Sequence, residues 1–145
     1  SDKRVRKAIA HALDRNFIVQ EIFRGFGTPA TAPFHHAGPF YNGKLPQYEL
    51  NLNKANQLLD EAGFKRKADG VRFSVNVDWI PNPAYQAVCA YTREQLKKVG
   101  INANLRASPD FPGCASKISA WDFDLNFDSV FDYPDPVIGI ERMYI

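Results

Sequence analysis

Asp132 is the residue best suited to hold a charged small molecule. It stands near the end of Trp121-Asp-Phe-Asp-Leu-Asn-Phe-Asp-Ser-Val-Phe-Asp-Tyr-Pro-Asp-Pro136, where acidic or amide residues alternate with apolar ones before an aromatic, proline-rich loop. Such alternation reads as a strand, and ligands of α/β sheets sit just beyond the carboxyl ends of strands. A carboxylate in that loop could pair with an ammonium group, a charge-assisted bond worth about 1.5–3 kcal/mol. An aspartate there could equally cap a turn or stand solvated, and both readings remain open. Phe111, Phe131 and Tyr133 could wall an apolar pocket around the one anchoring charge. Phe127, inside the strand, reads as core.

Other chemistries fit less well. Asp122, Asp124, Asn126 and Asp128 imitate alternating calcium ligands, but an EF-hand loop needs Gly and Glu where Phe127 and Tyr133 stand. An extended strand would also display them as a row, not a cage. His35 and His36 are adjacent and lack a partner at metal-ligand spacing, so they read as surface or packing residues. His11 lies near the apolar face of the first helix and should pack against a neighbour. Cys89 falls inside a predicted helix. Cys114 follows Pro112-Gly113 near a helix start, a position that could lower a thiol pKa. The pair could form a disulfide in an oxidising compartment. With no phosphate loop, nucleophile elbow or zinc-protease motif, the sequence offers neither an enzyme nor a cofactor site.

Bulk properties narrow the field further. The 145 residues suffice for one domain with a hydrophobic core, and a net charge of +2 without charge runs argues against nucleic acid as partner. No apolar run approaches the ~20 residues of a membrane span.

The elements that must position the site follow from periodicity. Val5, Ala8, Ile9, Ala12 and Leu13 share one helical face behind an Asp2 cap. Asp14 caps a second helix carrying Phe17, Ile18, Ile22 and Phe23, which Gly25 or Gly27 would end. Residues 28–50 hold four prolines and no sustained period, and read as a long ordered loop plugged by Phe34, Phe40 and Tyr41. Asn53 caps a helix stopped by Gly63, with Phe64 folding back. Residues 71–79 alternate strictly: Val71, Phe73, Val75, Val77 and Trp79 face inward, and Arg72, Ser74, Asn76 and Asp78 face solvent. Asn82-Pro83 then opens a helix burying Ala84, Ala87, Val88, Tyr91, Leu96 and Val99, with Gly100 as its stop. A second strand (Ile101, Ala103, Leu105 and Ala107 inward), a short helix near 113–119 and a third strand from Asp122 to about Phe131 complete an α/β order. Neighbouring strands should be parallel. The chain starts almost at a helix and stops in an uncapped amphipathic stretch, as an excised part of a longer protein would.

The order of motifs resembles a known family. Lys3-Arg-Val-Arg-Lys-Ala-Ile-Ala-His-Ala-Leu-Asp-Arg15 resembles the helix pair opening the C-terminal lobe of family 5 extracellular solute-binding proteins, the oligopeptide, dipeptide and nickel-binding group. Gly27-Thr-Pro-Ala-Thr-Ala-Pro33, Asn53 to Phe64, Gln95 to Ile101, and Asp122-Phe-Asp-Leu125 through Asp132-Tyr-Pro-Asp-Pro136 are similar to that family's later motifs, in order. The resemblance implies a periplasmic-binding-protein lobe of type II, with a mixed sheet flanked by helices, and residues 1–145 as most of a C-terminal lobe. It implies a solute, peptide or similar, trapped between two lobes by hinge closure. The other partners would be the N-terminal lobe and an ABC permease, in a periplasmic or extracellular setting, membrane-associated through the transporter.

In peptide-binding members the aspartate matching Asp132 binds the peptide's α-ammonium group, and an aromatic matching Phe111 helps wall the pocket. Where those members carry Gly-Trp ahead of that aspartate, this chain has Ser129-Val130 and then Phe131, which completes the candidate ligand-binding set. Two rival readings are a protein-interaction domain docking through loop 34–48 and a small α/β hydrolase using Cys114 or the aspartate cluster.

Overall fold

Helix α1 (Lys3–Ala12) begins where the sequence says it should, with the Asp2 carboxylate accepting the Arg4 N–H at 2.7 Å. The computed structural model describes residues 2–32, 34 and 36–129. Ala8 and Ala12 of α1 are buried, and Val5 and Ile9 pack beside them. Asp14 caps α2 (Arg15–Phe17), accepting the Phe17 N–H, and a π-helical turn over Ile18–Ile22 extends it. Left-handed Arg24 and Gly25 then turn the chain away. Among the described residues, the following stretch carries neither helix nor strand as far as Asn51, as the prolines suggested. Its aromatic plugs are partial: Phe34 lies 6.0 Å from Phe40, yet Phe40 keeps 51% of its surface exposed.

The cap of α3 (Leu52–Glu61) is Asn51, not Asn53, because the Asn51 side chain accepts from Lys54. Its backbone N–H is also tethered to the His11 carbonyl at 2.8 Å. Moving the start by two residues brings Leu52 against the core. The predicted stop holds: Gly63 is left-handed, and the Phe64 and Gly63 N–H groups return to the Leu59 and Asp60 carbonyls.

β1 (Phe73–Trp79), α4 (Pro83–Lys98), β2 (Ile101–Ala107), α5 (Phe111–Ser119) and β3 (Leu125–Phe127) follow in alternation. Asn82 caps α4 with Pro83 in its first turn. Gly100 ends α4 in the left-handed region, where a Cβ would stand 2.9 Å from the Gly70 carbonyl oxygen. The buried stripe of α4 is turned from the predicted one: Val88, Cys89, Thr92 and Leu96 are inside, whereas Ala87 is exposed.

The sheet order is β2-β1-β3, with every described pairing parallel. The antiparallel member of a mixed sheet does not occur among the described residues. Val75, Val77 and Trp79 of β1 meet Leu59, Leu96 and Ile101 in the core under α1, α3 and α4. β3 covers three residues, shorter than the strand read from alternation.

Alternation misplaces the residue just before β1 and the last but one within it. Arg72 and Asp78, assigned to solvent, are 5% and 1% exposed. Arg72 donates to the Val99 carbonyl at 2.9 Å, to Asn56 Oδ1 at 3.0 Å and to Asp60 Oδ1 at 2.5 Å, and also to the Phe64 carbonyl. One guanidinium thus ties the end of α3 to the end of α4, which a run of nine residues cannot announce.

Candidate ligand-binding edge of the sheet

A parallel sheet with order β2-β1-β3 has its topological switch between β1 and β3: the first crossover runs to one side of β1 and the second to the other. The crevice beyond the carboxyl ends of these strands is the default ligand position. Trp79, Ala107 and Phe127 end the three strands there.

Phe111 lies at this edge, but not in a loop as expected. It is the first residue of α5, whose cap is Asp110, accepting the Gly113 N–H at 2.7 Å. Asp110 before Phe111-Pro112 was the available signal, since proline is tolerated in a first helical turn. Phe111 is 61% exposed and so not engaged in the core. Ser129 follows the end of β3, half-buried, its N–H donating to Asp128 Oδ1 at 2.7 Å. Two strand spacings, about 10 Å, separate the end of β2 from the end of β3, with Trp79 of β1 between them. Val130, Phe131, Asp132 and Tyr133 lie outside the described residues.

Beneath this edge sits a network that the sequence reading missed. Asp78 and Arg106 are register partners on β1 and β2. Arg106 Nη2 donates to Asp78 Oδ2 at 2.8 Å, and Lys117 of α5 donates to Asp78 Oδ1 at 2.9 Å. Arg106 reaches on to Asp122 Oδ1 at 3.1 Å and to the Asp122 carbonyl. The bond to Asp78, then that to Asp122, raises the Arg106 pKa further. The network fastens α5, and with it Phe111, to two strands and to the approach to β3. Opposite charges at the same position of two alternating strands were the sequence signal for it.

The acidic row leading into β3 has structural employment. Asp122 takes Arg106, Asp124 Oδ2 accepts the Asn76 N–H at 2.7 Å, and Asp128 accepts from Ser129. These carboxylates diverge to separate partners, and no metal-binding group of His, Cys, Asp or Glu occurs among the described residues. His11 packs edge-on against Tyr48 at 5.4 Å and its Nδ1 lies 2.8 Å from the Glu49 carbonyl.

Both cysteines are buried and free, so no disulfide joins them. The lowered pKa expected at Cys114 is reversed: burial raises it, helped by the nearby charges of Asp128 and Asp78. Burial, with Asp78, pushes Cys89 up to about 12. Neither thiol is an activated nucleophile. Native protein at pH 8 should therefore react with a disulfide reagent far more slowly than denatured protein, at both positions. Rapid labelling of Cys114 would revive the hydrolase reading.

Comparison with known proteins bears on this geometry. The family model for bacterial extracellular solute-binding proteins, family 5 Middle, matches residues 1–144. The chain belongs to this family. It is 32% identical over 135 residues to the oligopeptide-binding protein AppA of Bacillus subtilis, covering 85% of this chain and 25% of AppA. The structure of that AppA in complex with a nonapeptide matches 86% of this chain and 27% of its own, with a TM-score of 0.78 at 31% identity. NikA from Brucella suis, solved with Fe(III)-EDTA, matches 99% of this chain and 30% of its own, with a TM-score of 0.86 at 27% identity. The chain spans about a quarter of the length of the curated relatives it matches. These family 5 relatives are binding proteins, and the chain has the fold of the regions it matches. Among the described residues no helix is long and apolar enough to cross a membrane.

Proposed function

We propose that the chain forms most of the C-terminal lobe of a two-lobed solute-binding protein and that its solute rests on the carboxyl edge of the sheet. The observation that carries this reading is the exposed Phe111 at the start of α5, held at the edge from which β3 leads toward residues 130–133. Asp132 is the polar anchor, and Phe111, Phe131 and Tyr133 are apolar walls. Ser129 and Val130 stand where peptide-binding members carry Gly-Trp, so they shape the pocket differently.

The solute is a peptide or a similar small molecule bearing an ammonium group. AppA holds a nonapeptide and NikA an iron chelate, so one family accommodates unlike ligands. The second lobe closes over the solute, and the loaded protein delivers it to the membrane permease of an ABC importer from the periplasmic or extracellular side. The protein binds and releases and carries out no reaction.

The test is a thermal-shift screen of the chain restored to the length of its relatives, against pools of peptides, sugars and metal chelates. A ligand at about a hundred times its dissociation constant adds roughly 2.7 kcal/mol, a shift of several degrees. Peptides should give that shift, and Asp132→Ala should weaken binding by about 10- to 150-fold, the loss of one charge-assisted bond. A response to another pool alone would remove the ammonium anchor. Silence from well-folded protein in every pool would remove the solute reading.

A further inference from the structure

One side of α5 faces the sheet. Cys114 is the buried residue of this helix, and Lys117, one turn on, reaches Asp78 Oδ1 at 2.9 Å. Phe111 stands one turn before Cys114, so the three share a side of α5 at a spacing of three residues. Two of them hold the helix to the strands, and the third stands exposed at the carboxyl edge.

Charge does much of this fastening. Among the described residues, none of α5 enters the hydrophobic core under α1, α3 and α4. By contrast, α4 sends Cys89 and Leu96 into that core, and α3 sends Ala55, Leu58 and Leu59. A single small buried side chain such as Cys114 fixes one point of a helix but not its direction. Lys117 supplies a second point, one turn further from Phe111. Its acceptor is anchored: Asp78 is buried in the central strand and held from β2 by Arg106 at 2.8 Å. The tie from Arg106 to Asp122, beyond the end of α5, contributes less because the Asp122 carboxylate is exposed.

We infer that Lys117 is a positioning residue for the solute: its ion pair with Asp78 aligns α5 so that Phe111 meets the ligand. The ammonium group is turned to Asp78 beneath the edge, so Lys117 acts on the solute through Phe111. This inference rests on the solute reading of the carboxyl edge and adds to it the group that sets one pocket wall. By linkage, a solute resting on Phe111 holds α5 in its aligned position in return.

The test uses the chain restored to the length of its relatives, with Lys117→Met, Phe111→Ala and the double variant. Methionine keeps an unbranched apolar stem and removes the charge. Without ligand, Lys117→Met should quicken hydrogen exchange at the amides of residues 115–119 by about tenfold or more and leave those of β1 and β2 near wild type. The probes are the peptide, sugar and metal-chelate pools of the thermal screen, and affinity is read with the one that wild type binds. That affinity should fall about fivefold in Lys117→Met. Once Phe111 is alanine, Lys117→Met should cost nothing further, because the two residues act through one contact. Unchanged exchange in α5, or a rise spread evenly over β1 and β2, would overturn the inference. So would unchanged affinity, or equal losses with and without Phe111, in a protein whose wild type binds. A wild type that binds none of the pools would remove the solute reading itself, and this inference with it.

Discussion

Replacing Arg72 with alanine should lower the unfolding free energy by about 3 kcal/mol, read from the urea midpoint, and the melting temperature by roughly 10 °C. The cost comes from what the guanidinium leaves behind. The Val99 and Phe64 carbonyls and Asn56 Oδ1 all accept from this one buried group. Unsatisfied buried acceptors cost about 1–3 kcal/mol each, partly recovered where water can enter. The ion pair with Asp60 contributes less than its 2.5 Å separation suggests, because the Asp60 side chain is 53% exposed. Arg72→Lys should rescue little, since one ammonium cannot span several divergent acceptors. A loss under about 0.5 kcal/mol, as for ordinary surface positions, would return Arg72 to the solvent face that alternation assigned it.

The same pair sets an acid-side signature. The hydrogen bond from Arg72 holds the Asp60 carboxyl below its ordinary range. A depressed native pKa means that the unfolded chain binds more protons as pH falls toward it. The Asp60 contribution is therefore complete above the unfolded carboxylate range and is lost as pH drops through the native value. Between wild type and Arg72→Ala, the stability difference should narrow on acidification.

The second large effect belongs to Asp78. Asp78→Ala removes the shared acceptor of Arg106 and Lys117 and leaves two like charges facing a buried gap. Breaking a buried pair by removing one partner costs about 3–5 kcal/mol. Both cations keep about a quarter of their side chains exposed, so the lower end, about 3 kcal/mol, is expected. Adding Lys117→Met should recover part of that loss, because the repulsion then has one member fewer. If the double variant is no better than the single, the network does not couple α5 to the strands. α5 and Phe111 would then be held by packing alone.

Much of the fold was legible because its signals are local. Asp2, Asp14 and Asn82 cap the helices they were assigned, and Gly63 and Gly100 stop theirs. These depend on a side chain reaching its own neighbours. The errors concern residues whose surroundings come from far along the chain. Arg72 and Asp78 obey the alternation of β1, yet the ends of α3 and α4 enclose one, and Arg106 and Lys117 enclose the other. On α4, alanine at 84 and 87 resembled core residues, but the helix rolls to bury Cys89 and Thr92 against the sheet. Of the candidate site, the sheet edge and the exposed aromatic were readable. That Phe111 begins a helix needed the Asp110 cap to outweigh the apparent loop chemistry of its prolines.

The two tryptophans divide the molecule's intrinsic fluorescence. Trp79 ends β1 in the core at 6% exposure, whereas Trp121, just past α5 in a left-handed conformation, is 72% exposed. Water relaxes the excited indole dipole, so Trp121 emits to the red and is open to an aqueous quencher, while Trp79 emits to the blue and is shielded. Trp121→Phe would leave a single emitter at the carboxyl end of the central strand. An unlabelled protein could then report, by colour alone, whether the carboxyl end of the central strand is dry or wet.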